Sequence, residues 1–405
     1  MPAAIRRAAR GRPPSTFRHP CGSFATVPAP TSMGLSVAAE VLDLFCELAR
    51  LPSPPGEERA VADRVVAFLS DCGLTPFEDA TGPSVGSSMG NIHVSVEPTS
   101  RGEPLFFCAH LDTVPPTDVI EPRVDDGIVR NARPTILGAD NKAAVVAMLE
   151  ATRRLLAERR DHAGIELLFT SKEEVGLLGA FAFDQARLRA RTGYVYDSAS
   201  AIGEVILGAP SAQQIEISFH GRAAHAGMYP EEGRSAVVAA ARAIAEMPLG
   251  RIDEETTANV GLISGGTAPN IVPEWCSLRA EARSHDERKL ADEVQAIQDA
   301  LSFAAGLGEC TVETTLTRSY DAYRFKRDEL PVRLAAEALR RCGFEPRYAL
   351  SGGAADANVF NARGLRCVNL ANGMAEIHTP NEHIAVVDLE AMVEVTLALV
   401  EAARA

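Results

Sequence analysis

A histidine and an aspartate stand two residues apart at the end of a short apolar run. The run extends from Leu105 to Ala109, and His110 and Asp112 follow it. Residues two apart on an extended backbone point the same way, so we expect the imidazole and the carboxylate to emerge together. A short, continuous apolar run is typical of a buried strand in a parallel sheet, and ligands bind at the carboxyl edge of such sheets.

The same pattern recurs in three further apolar runs. These runs lead to Glu173 and Glu174 (after residues 165–169), Asp197 (after residues 194–196) and His378 (after residues 366–370). A strand that ends in polar residues is ordinary when taken alone. Four runs that deliver His, Asp or Glu to the same edge of one sheet instead predict a metal site.

A further carboxylate lies at the start of an apolar segment. Asp140 belongs to the stretch Gly138-Ala-Asp-Asn-Lys142, and the following segment through Ala157 is expected to form a buried helix. The position is that of an N-cap residue, and capping alone would explain an aspartate there. Because the N-terminus of this helix is expected to face the same edge as His110, the carboxylate can be cap and metal ligand together.

The collected candidates are two histidines and three carboxylates, namely His110, Asp140, Glu174, Asp197 and His378. This set is too large for one tetrahedral zinc ion. It suits two divalent ions about 3.5–4 Å apart that share one bridging carboxylate. Mixed nitrogen and oxygen ligands favour Zn, Mn or Co over Ca or an iron–sulfur cluster.

Two further carboxylates have roles beside the metals. Asp112 is expected to accept the second N–H of His110 and so fix the tautomer of the imidazole. Glu173 and Glu174 are neighbours that diverge on an extended backbone, so one can ligate a metal while the other stays free. A free carboxylate beside a metal-activated water acts as a general base. The residues therefore predict metal-assisted amide hydrolysis, with Glu173 as the base.

Composition excludes several classes of protein. The length of 405 residues suggests two to three domains, and the net charge of −14 argues against nucleic acid as a partner. No uninterrupted apolar stretch is long enough to span a bilayer. The eight cysteines are scattered singly, without a C-x-x-C pair. Such spacing fits a reducing compartment, and we predict a cytoplasmic protein.

The N-terminal segment differs in composition from the rest of the chain. Residues 1–36 carry five arginines and no acidic residue, and they show no apolar periodicity. We predict that residues 1–35 are a disordered extension, or that the start codon is placed too early and Met33 is the true start. A transit-type peptide is the alternative, since such peptides are rich in arginine and poor in acidic residues.

The hydrophobic pattern changes at about residue 213. Residues 213–318 show alternating strands and amphipathic helices in the order β-α-β-β-α-β, which is typical of a ferredoxin-like layer. We predict that this α+β domain is inserted into an α/β catalytic domain formed by residues 36–212 and 319–405. The catalytic domain is expected to have a mostly parallel sheet with helices on both faces.

The motifs around these residues resemble those of the di-zinc exopeptidase family that includes peptidase T, carboxypeptidase G and succinyl-diaminopimelate desuccinylase. They run in the family's order from about residue 50 to residue 385. The matching motifs are Pro52-Ser-Pro-Pro-Gly56-Glu, His110-x-Asp112, Gly138-Ala-Asp140-Asn-Lys, Glu173-Glu174-x-Gly176, Asp197, Gly221-x-x-x-His225-Ala-Gly, Gly265-Gly-x-x-x-Asn270-x-Val-Pro, Arg283-Ser and His378-x-Pro380-x-Glu382.

The resemblance implies a role for each candidate residue. One zinc ion would be held by His110, Asp140 and Asp197, and the other by Asp140, Glu174 and His378. The active-site acids would be Asp112 and Glu173. The resemblance also implies a zinc-exopeptidase-like fold and a homodimer formed through the inserted domain.

Three residues of the inserted domain are implied substrate ligands. In the family, the counterparts of His225, Asn270 and Arg283 bind substrate oxygens and the substrate carboxylate. Each residue also has an ordinary interpretation. His225 could be a loop histidine, Asn270 a turn residue and Arg283 a solvated strand end.

Within the family, two features resemble peptidase T. These are Asp197, where other members carry Glu, and the loop Ser351-Gly-Gly-Ala-Ala-Asp-Ala-Asn358. The resemblance therefore implies a peptidase T-like aminopeptidase that acts on small peptides. A carboxypeptidase or an N-acyl amino acid deacylase of the same family stays open. A non-catalytic, metal-dependent binding protein is a further alternative, against which the intact Glu173 argues.

Overall fold

The computed structural model describes residues 32–404 of the chain. The predicted N-terminal extension therefore lies outside the described residues, except for its last four positions, which belong to the first helix. The helices are α1 (Ser32–Ala49), α2 (Arg59–Asp71), α3 (Gly82–Val85), α4 (Ala139–Ala157), α5 (Leu178–Ala182), α6 (Ala236–Glu246), α7 (Glu287–Leu307), α8 (Leu330–Arg341), α9 (Asp356–Ala362) and α10 (Val386–Ala402).

The strands form a large sheet, a five-stranded sheet and a small three-stranded sheet. They are β1 (Phe77–Glu78), β2 (Ile92–Val96), β3 (Leu105–His110), β4 (Pro122–Asp125), β5 (Ile128–Asn131), β6 (Ile165–Thr170), β7 (Thr192–Ser198), β8 (Glu204–Ala209), β9 (Ser211–His220), β10 (Gly250–Arg251), β11 (Thr256–Gly265), β12 (Trp275–Ser284), β13 (Thr311–Tyr320), β14 (Tyr323–Arg324), β15 (Arg347–Leu350), β16 (Arg366–Ala371) and β17 (His383–Ala385).

The large sheet has the parallel core that the apolar runs predicted. Its order is β1-β2-β6-β3-β7-β16-β8-β14, with β15 paired to β8. The four central strands β6, β3, β7 and β16 run parallel to one another, and β3 and β6 are buried along their whole length. Their carboxyl ends consequently meet at one edge of the sheet, where the candidate metal ligands were expected.

Two neighbouring phenylalanines show that helices cover both faces of this sheet. Successive side chains of a strand point to opposite faces. The ring of Phe106 meets Phe360 of α9 edge-on, with 5.5 Å between centroids. Phe107 instead lies 6.0 Å from the ring of Tyr196, whose hydroxyl bonds Thr396 of α10 at 2.9 Å. The prediction of a mostly parallel sheet between helical layers is confirmed.

The second sheet forms the predicted ferredoxin-like layer. Its strands follow the order β10-β11-β12-β9-β13, and all neighbouring pairs are antiparallel. Helices α6 and α7 pack together and against these strands. This layer has a hydrophobic core distinct from that of the large sheet. The exact division of the chain at residues 213 and 318 stays a prediction.

No helix between Ser32 and Arg404 is long and apolar enough to cross a bilayer. The carboxyl ends of β3 and β6 are buried, and the carboxyl end of β7 is partly exposed. The positions of the polar residues at these strand ends depend on the packing of the large sheet.

A glycine of β7 provides a test of this packing. A Cβ atom at Gly193 would lie 2.3 Å from ring atoms of Phe106 on the adjacent strand. Because overpacking a core typically costs about 1–3 kcal/mol, Gly193→Ala is expected to lower the free energy of unfolding by that amount. Gly306→Ala in α7 is the control, because a methyl group there would meet no described atom within 4 Å beyond the backbone of its own helix. Chemical denaturation that found Gly193→Ala as stable as Gly306→Ala would contradict the packing.

Candidate metal centre

The carboxyl edge of the large sheet brings the predicted ligand residues together. Atoms of His110, Glu173 and Asp197 lie within 4.8 Å of one another, and the same holds for His110, Asp140 and Glu174. The neighbouring glutamates thus belong to different groups, in agreement with their expected divergence. His110 ends β3, Asp197 lies near the end of β7, and the two glutamates follow β6.

Asp140 lies between the two histidines. Its Oδ1 is 3.2 Å from Nε2 of His110, and its Oδ2 is 3.2 Å from Nε2 of His378. The same nitrogen of His378 lies 3.1 Å from an oxygen of Glu174. A carboxylate whose two oxygens face two different nitrogen ligands has the arrangement required of a bridge between two metal ions.

The expectation that Asp140 caps α4 was wrong. The N-cap position is occupied by Gly138, and the backbone angles of Asp140 (φ −83°, ψ 104°) and Asn141 are not helical. The carboxylate of Asp140 is turned toward His110 and His378. Among the described residues, no backbone N–H of the first turn of α4 donates a hydrogen bond to this carboxylate.

Asp112 also differs from its expected role. The Nδ1 atom of His110 lies 2.9 Å from the backbone carbonyl oxygen of Asp112 and 3.5 Å from the carboxylate. The carboxylate instead accepts the backbone N–H groups of Glu173 at 2.9 Å and Glu174 at 3.1 Å. The backbone of Asp112 therefore orients the imidazole, while its side chain fixes the turn that carries both glutamates.

His110, His378 and Asp140 shift one another's pKa values. Hydrogen bonds to Asp140 and Glu174 raise the pKa of His378 to about 10. Burial disfavours the charged form of His110, but contacts with Asp112 and Asp140 outweigh burial and hold its pKa well above the usual value. Burial also opposes ionisation of Asp140, yet the hydrogen bonds from both histidines lower its pKa. Metal ions that bind here must displace the histidine protons.

The pKa values of Glu173 and Asp197 are raised, whereas that of Asp140 is lowered. Burial raises the pKa of Glu173 well above its usual value, and Asp197 adds to the rise although His110 opposes it. Burial likewise raises the pKa of Asp197, with Asp140 adding to the effect. Burial is the larger cause of both pKa shifts, and the neighbouring carboxylates add to it.

The donor set fits divalent metal ions. Carboxylates buried together in a region of low dielectric constant repel one another unless positive charge lies between them. Imidazole nitrogens beside carboxylate oxygens are suitable ligands for Zn, Mn or Co. The edge of the sheet is therefore a candidate metal centre.

A residue without an assigned role in the sequence analysis, Glu382, holds the segment that carries Asp140. Its carboxylate accepts the backbone N–H groups of Leu137 at 2.7 Å, Gly138 at 2.9 Å and Asp140 at 2.9 Å. The side chain is almost fully buried. The only signal in the sequence was its place four residues after His378 in a family motif.

The inserted layer brings two of its three predicted residues together. His225 pairs with Ile271 in an isolated bridge, and the backbone of Asn270 accepts the N–H of Ala226 at 2.9 Å. The Nδ1 atom of His225 accepts the N–H of Met228 at 3.1 Å, which leaves Nε2 to act as a donor. Within residues 32–404, neither His225 nor Asn270 bonds a candidate metal ligand.

Arg283 lies at a different place, beside the glycine-rich loop of the large domain. Its guanidinium group bonds both oxygens of Glu281 at 3.0 Å and approaches the carbonyl oxygen of Gly352 at 3.5 Å. The neighbouring His285 contacts the carbonyl oxygen of Ser351 at 2.9 Å. Arg283 therefore links strand β12 of the inserted layer to the glycine-rich loop of the large domain.

Comparison with known proteins identifies the family. The model of a peptidase dimerisation domain matches residues 207–309, and the model of peptidase family M28 matches residues 91–218. An aminopeptidase PepT from Bacillus cereus has a similar structure, with 37% identity and a TM-score of 0.83 over 90% of this chain and 98% of that chain. A tripeptidase from Staphylococcus aureus gives 33% identity and a TM-score of 0.86 over the same shares.

A more distant relative is also a peptidase. Peptidase T of Pectobacterium carotovorum is 28% identical over 271 residues, which are 66% of this chain and 65% of that protein. A mostly parallel sheet with an imidazole–carboxylate cluster and a peptidase dimerisation domain defines a metal-dependent peptide hydrolase. The chain belongs to the M20 family of metallopeptidases, the family that the motifs predicted.

The role of Glu382 can be tested through metal affinity. An amide at this position would present N–H groups to backbone donors, so Glu382→Gln is expected to displace Asp140. Loss of a group that orients a metal ligand typically costs about 10–100-fold in affinity, which chelator competition would measure. Glu345→Gln removes the same charge at an exposed position and should leave affinity unchanged. Equal metal affinity in both variants would mean that Glu382 does not position Asp140.

Proposed function

We propose that this protein is a peptidase T-like aminopeptidase that hydrolyses small peptides with two divalent metal ions, natively zinc. The observation that carries the proposal is the position of Asp140 between His110 and His378, with Glu173 in a neighbouring group of ligand atoms that shares His110. The similarity to an aminopeptidase PepT and a tripeptidase, each above 30% identity over most of the chain, supports this choice.

The ligand residues divide into two sets that share Asp140. His110, Asp140 and Asp197 would hold one ion, and Asp140, Glu174 and His378 would hold the other. Ions bound there would acidify a water molecule and polarise the peptide carbonyl group. The short distances from Asp140 to both imidazoles support its shared role.

Glu173 is the carboxylate best placed to move protons. Its backbone is fixed by the carboxylate of Asp112, whereas no bond to a histidine occupies its side chain among the described contacts. A general base works best when its pKa lies near the working pH, and burial raises the pKa of Glu173. Glu173 would take a proton from the attacking water and then give it to the departing amine.

The substrate contacts are assigned to the inserted layer. His225 presents a free Nε2 that can donate a hydrogen bond to the oxyanion formed during hydrolysis. Asn270 lies beside it and would bond substrate oxygens. Arg283 would bind the substrate carboxylate, for which the guanidinium group would have to be shared with or released from Glu281.

A homodimer through the inserted layer would cover an exposed strand edge. Along residues 260–265, β11 pairs with β12 on one side only. Leu262 and Ile263 are 59% and 55% exposed there. Uncovered apolar edge strands are aggregation hazards that proteins usually protect. The match to a peptidase dimerisation domain over residues 207–309 supports the same surface.

A cytoplasmic location and a peptide substrate complete the proposal. The cysteines of the described chain are free thiols, as expected in a reducing compartment. The excess of acidic residues argues against nucleic acid as a partner. Small peptides with a free amino terminus are the substrates that the similarity to PepT supports.

The hydrolytic role is tested with a tripeptide. The protein is expected to hydrolyse Leu-Gly-Gly and to leave N-acetyl-Leu-Gly-Gly intact. Glu173→Gln should keep its metal while turnover falls by about 10²–10⁴, and Glu174→Gln, the matched control, should lose metal. Preferred cleavage of the acetylated peptide would indicate a deacylase, and near-normal turnover of metal-loaded Glu173→Gln would remove Glu173 as the base.

The role of His225 across a dimer is tested by mixing two inactive variants. His225→Ala is expected to lower turnover by about 10²–10³, as for other oxyanion donors. If His225 serves the neighbouring subunit, heterodimers of His225→Ala and Glu173→Gln contain one site with both defects and one with neither. Activity should therefore return as subunits exchange. Exchange without recovery would place His225 in its own chain's site or outside catalysis.

A further inference from the structure

A groove lined by arginines lies on the large domain, away from the candidate metal centre. It is formed by the outer face of α8, the segment before that helix, and strand β15. The groove has a volume of about 610 Å³, which is in the range of small-molecule sites. Its charged and aromatic lining consists of Arg327, Arg333, Glu337, Arg340, Arg341 and Tyr348.

Three of the four arginines have no carboxylate partner. Arg341 pairs with Glu337 and approaches Glu401 at 3.7 Å. In the described part of the chain, no salt bridge involves the remaining three arginines of the groove, Arg327, Arg333 and Arg340. With four arginines and one glutamate, the groove carries a formal charge of +3 in a chain whose net charge is −14.

Helix stability does not account for Arg327 and Arg333. Basic residues in the last turn favour a helix because they face the negative end of its dipole, which explains Arg340 and Arg341. Arg333 lies near the opposite end of α8, where a cation is unfavourable. Arg327 precedes the helix, and its guanidinium carbon lies 4.5 Å from the ring centroid of Tyr348. This stacking holds one cation in place at the wall of the groove.

The chemistry of the groove selects a compact anion. Guanidinium groups match phosphate oxygens with paired hydrogen bonds. A long polyanion would extend beyond the groove along a chain whose net charge is −14, and like charges repel over about 10 Å at ordinary salt concentration. A small phosphate ester can place its charge among the arginines without extending beyond them.

We propose that Arg327, Arg333 and Arg340, with Tyr348, form a binding site for a small phosphate ester. The site is independent of peptide hydrolysis, since none of its residues belongs to the metal cluster or to the predicted substrate ligands. Arg327 is held against Tyr348, and Arg333 and Arg340 follow two turns apart on one face of α8. The phosphate would accept hydrogen bonds from these guanidinium groups.

Calorimetric titration of the metal-loaded protein with fructose 1,6-bisphosphate tests the proposal. One site per chain is expected, with affinity that falls as salt rises. Because a hydrogen bond to a charged group contributes enough for a roughly ten-fold change in affinity, Arg333→Ser with Arg340→Ser should weaken binding by about 100-fold. Arg242→Ser with Arg288→Ser removes two exposed arginines of the inserted layer and should leave binding unchanged.

Three results would overturn the proposal. Binding that the Arg333→Ser/Arg340→Ser protein retains would place the phosphate elsewhere, for example at the metals. Absence of binding by fructose 1,6-bisphosphate at about 10 mM would remove the site. Equal or tighter binding of a tetra-glutamate peptide, acetylated and amidated so that it is not an exopeptidase substrate, would replace phosphate with an acidic peptide as the ligand class.

Discussion

The crowding of carboxylates at the buried edge of the large sheet is the constraint on which the site depends. Charged groups in the interior lose hydration, and like charges repel strongly there. Burial raises the pKa values of Glu173 and Asp197, whereas Asp140 stays ionised through hydrogen bonds from His110 and His378. Positive charge placed among these carboxylates would favour their ionised forms, which is why the donor set suits divalent metal ions.

Two further carboxylates keep this crowded arrangement in register. Asp112 binds the backbone N–H groups of Glu173 and Glu174, and Glu382 binds those around Asp140. Each joins segments that are far apart in sequence. A carboxylate suits this task because it offers several acceptor positions and carries the charge that strengthens each hydrogen bond. The observed contacts of both carboxylates are structural, since they hold backbone segments that carry candidate site residues.

The sequence predicted those features that follow from chain periodicity and strand direction. Apolar runs located β3, β6 and β7, and parallel pairing placed His110 and Asp197 at one edge. The cap at Asp140 was wrong, and the carbonyl group of Asp112 lies closer to His110 than the carboxylate does, because both features depend on local backbone angles, which periodicity does not determine. Glu382 had no assigned role because its partners are backbone groups about 240 residues earlier in the chain.

The candidate site residues are distributed over two layers of the structure. The large sheet carries the candidate metal ligands, whereas the inserted layer carries His225, Asn270 and Arg283. In the described chain the contacts between the layers include a bond from Arg283 to the carbonyl group of Gly352 and one between His285 and the carbonyl group of Ser351. A neutral hydrogen bond contributes about 0.5–1.5 kcal/mol and one from a charged group about 1.5–3 kcal/mol, so these two bonds stabilise the contact between the layers by a few kcal/mol. The candidate metal ligands of the large domain therefore come together without a contact from His225 or Asn270 among the described residues.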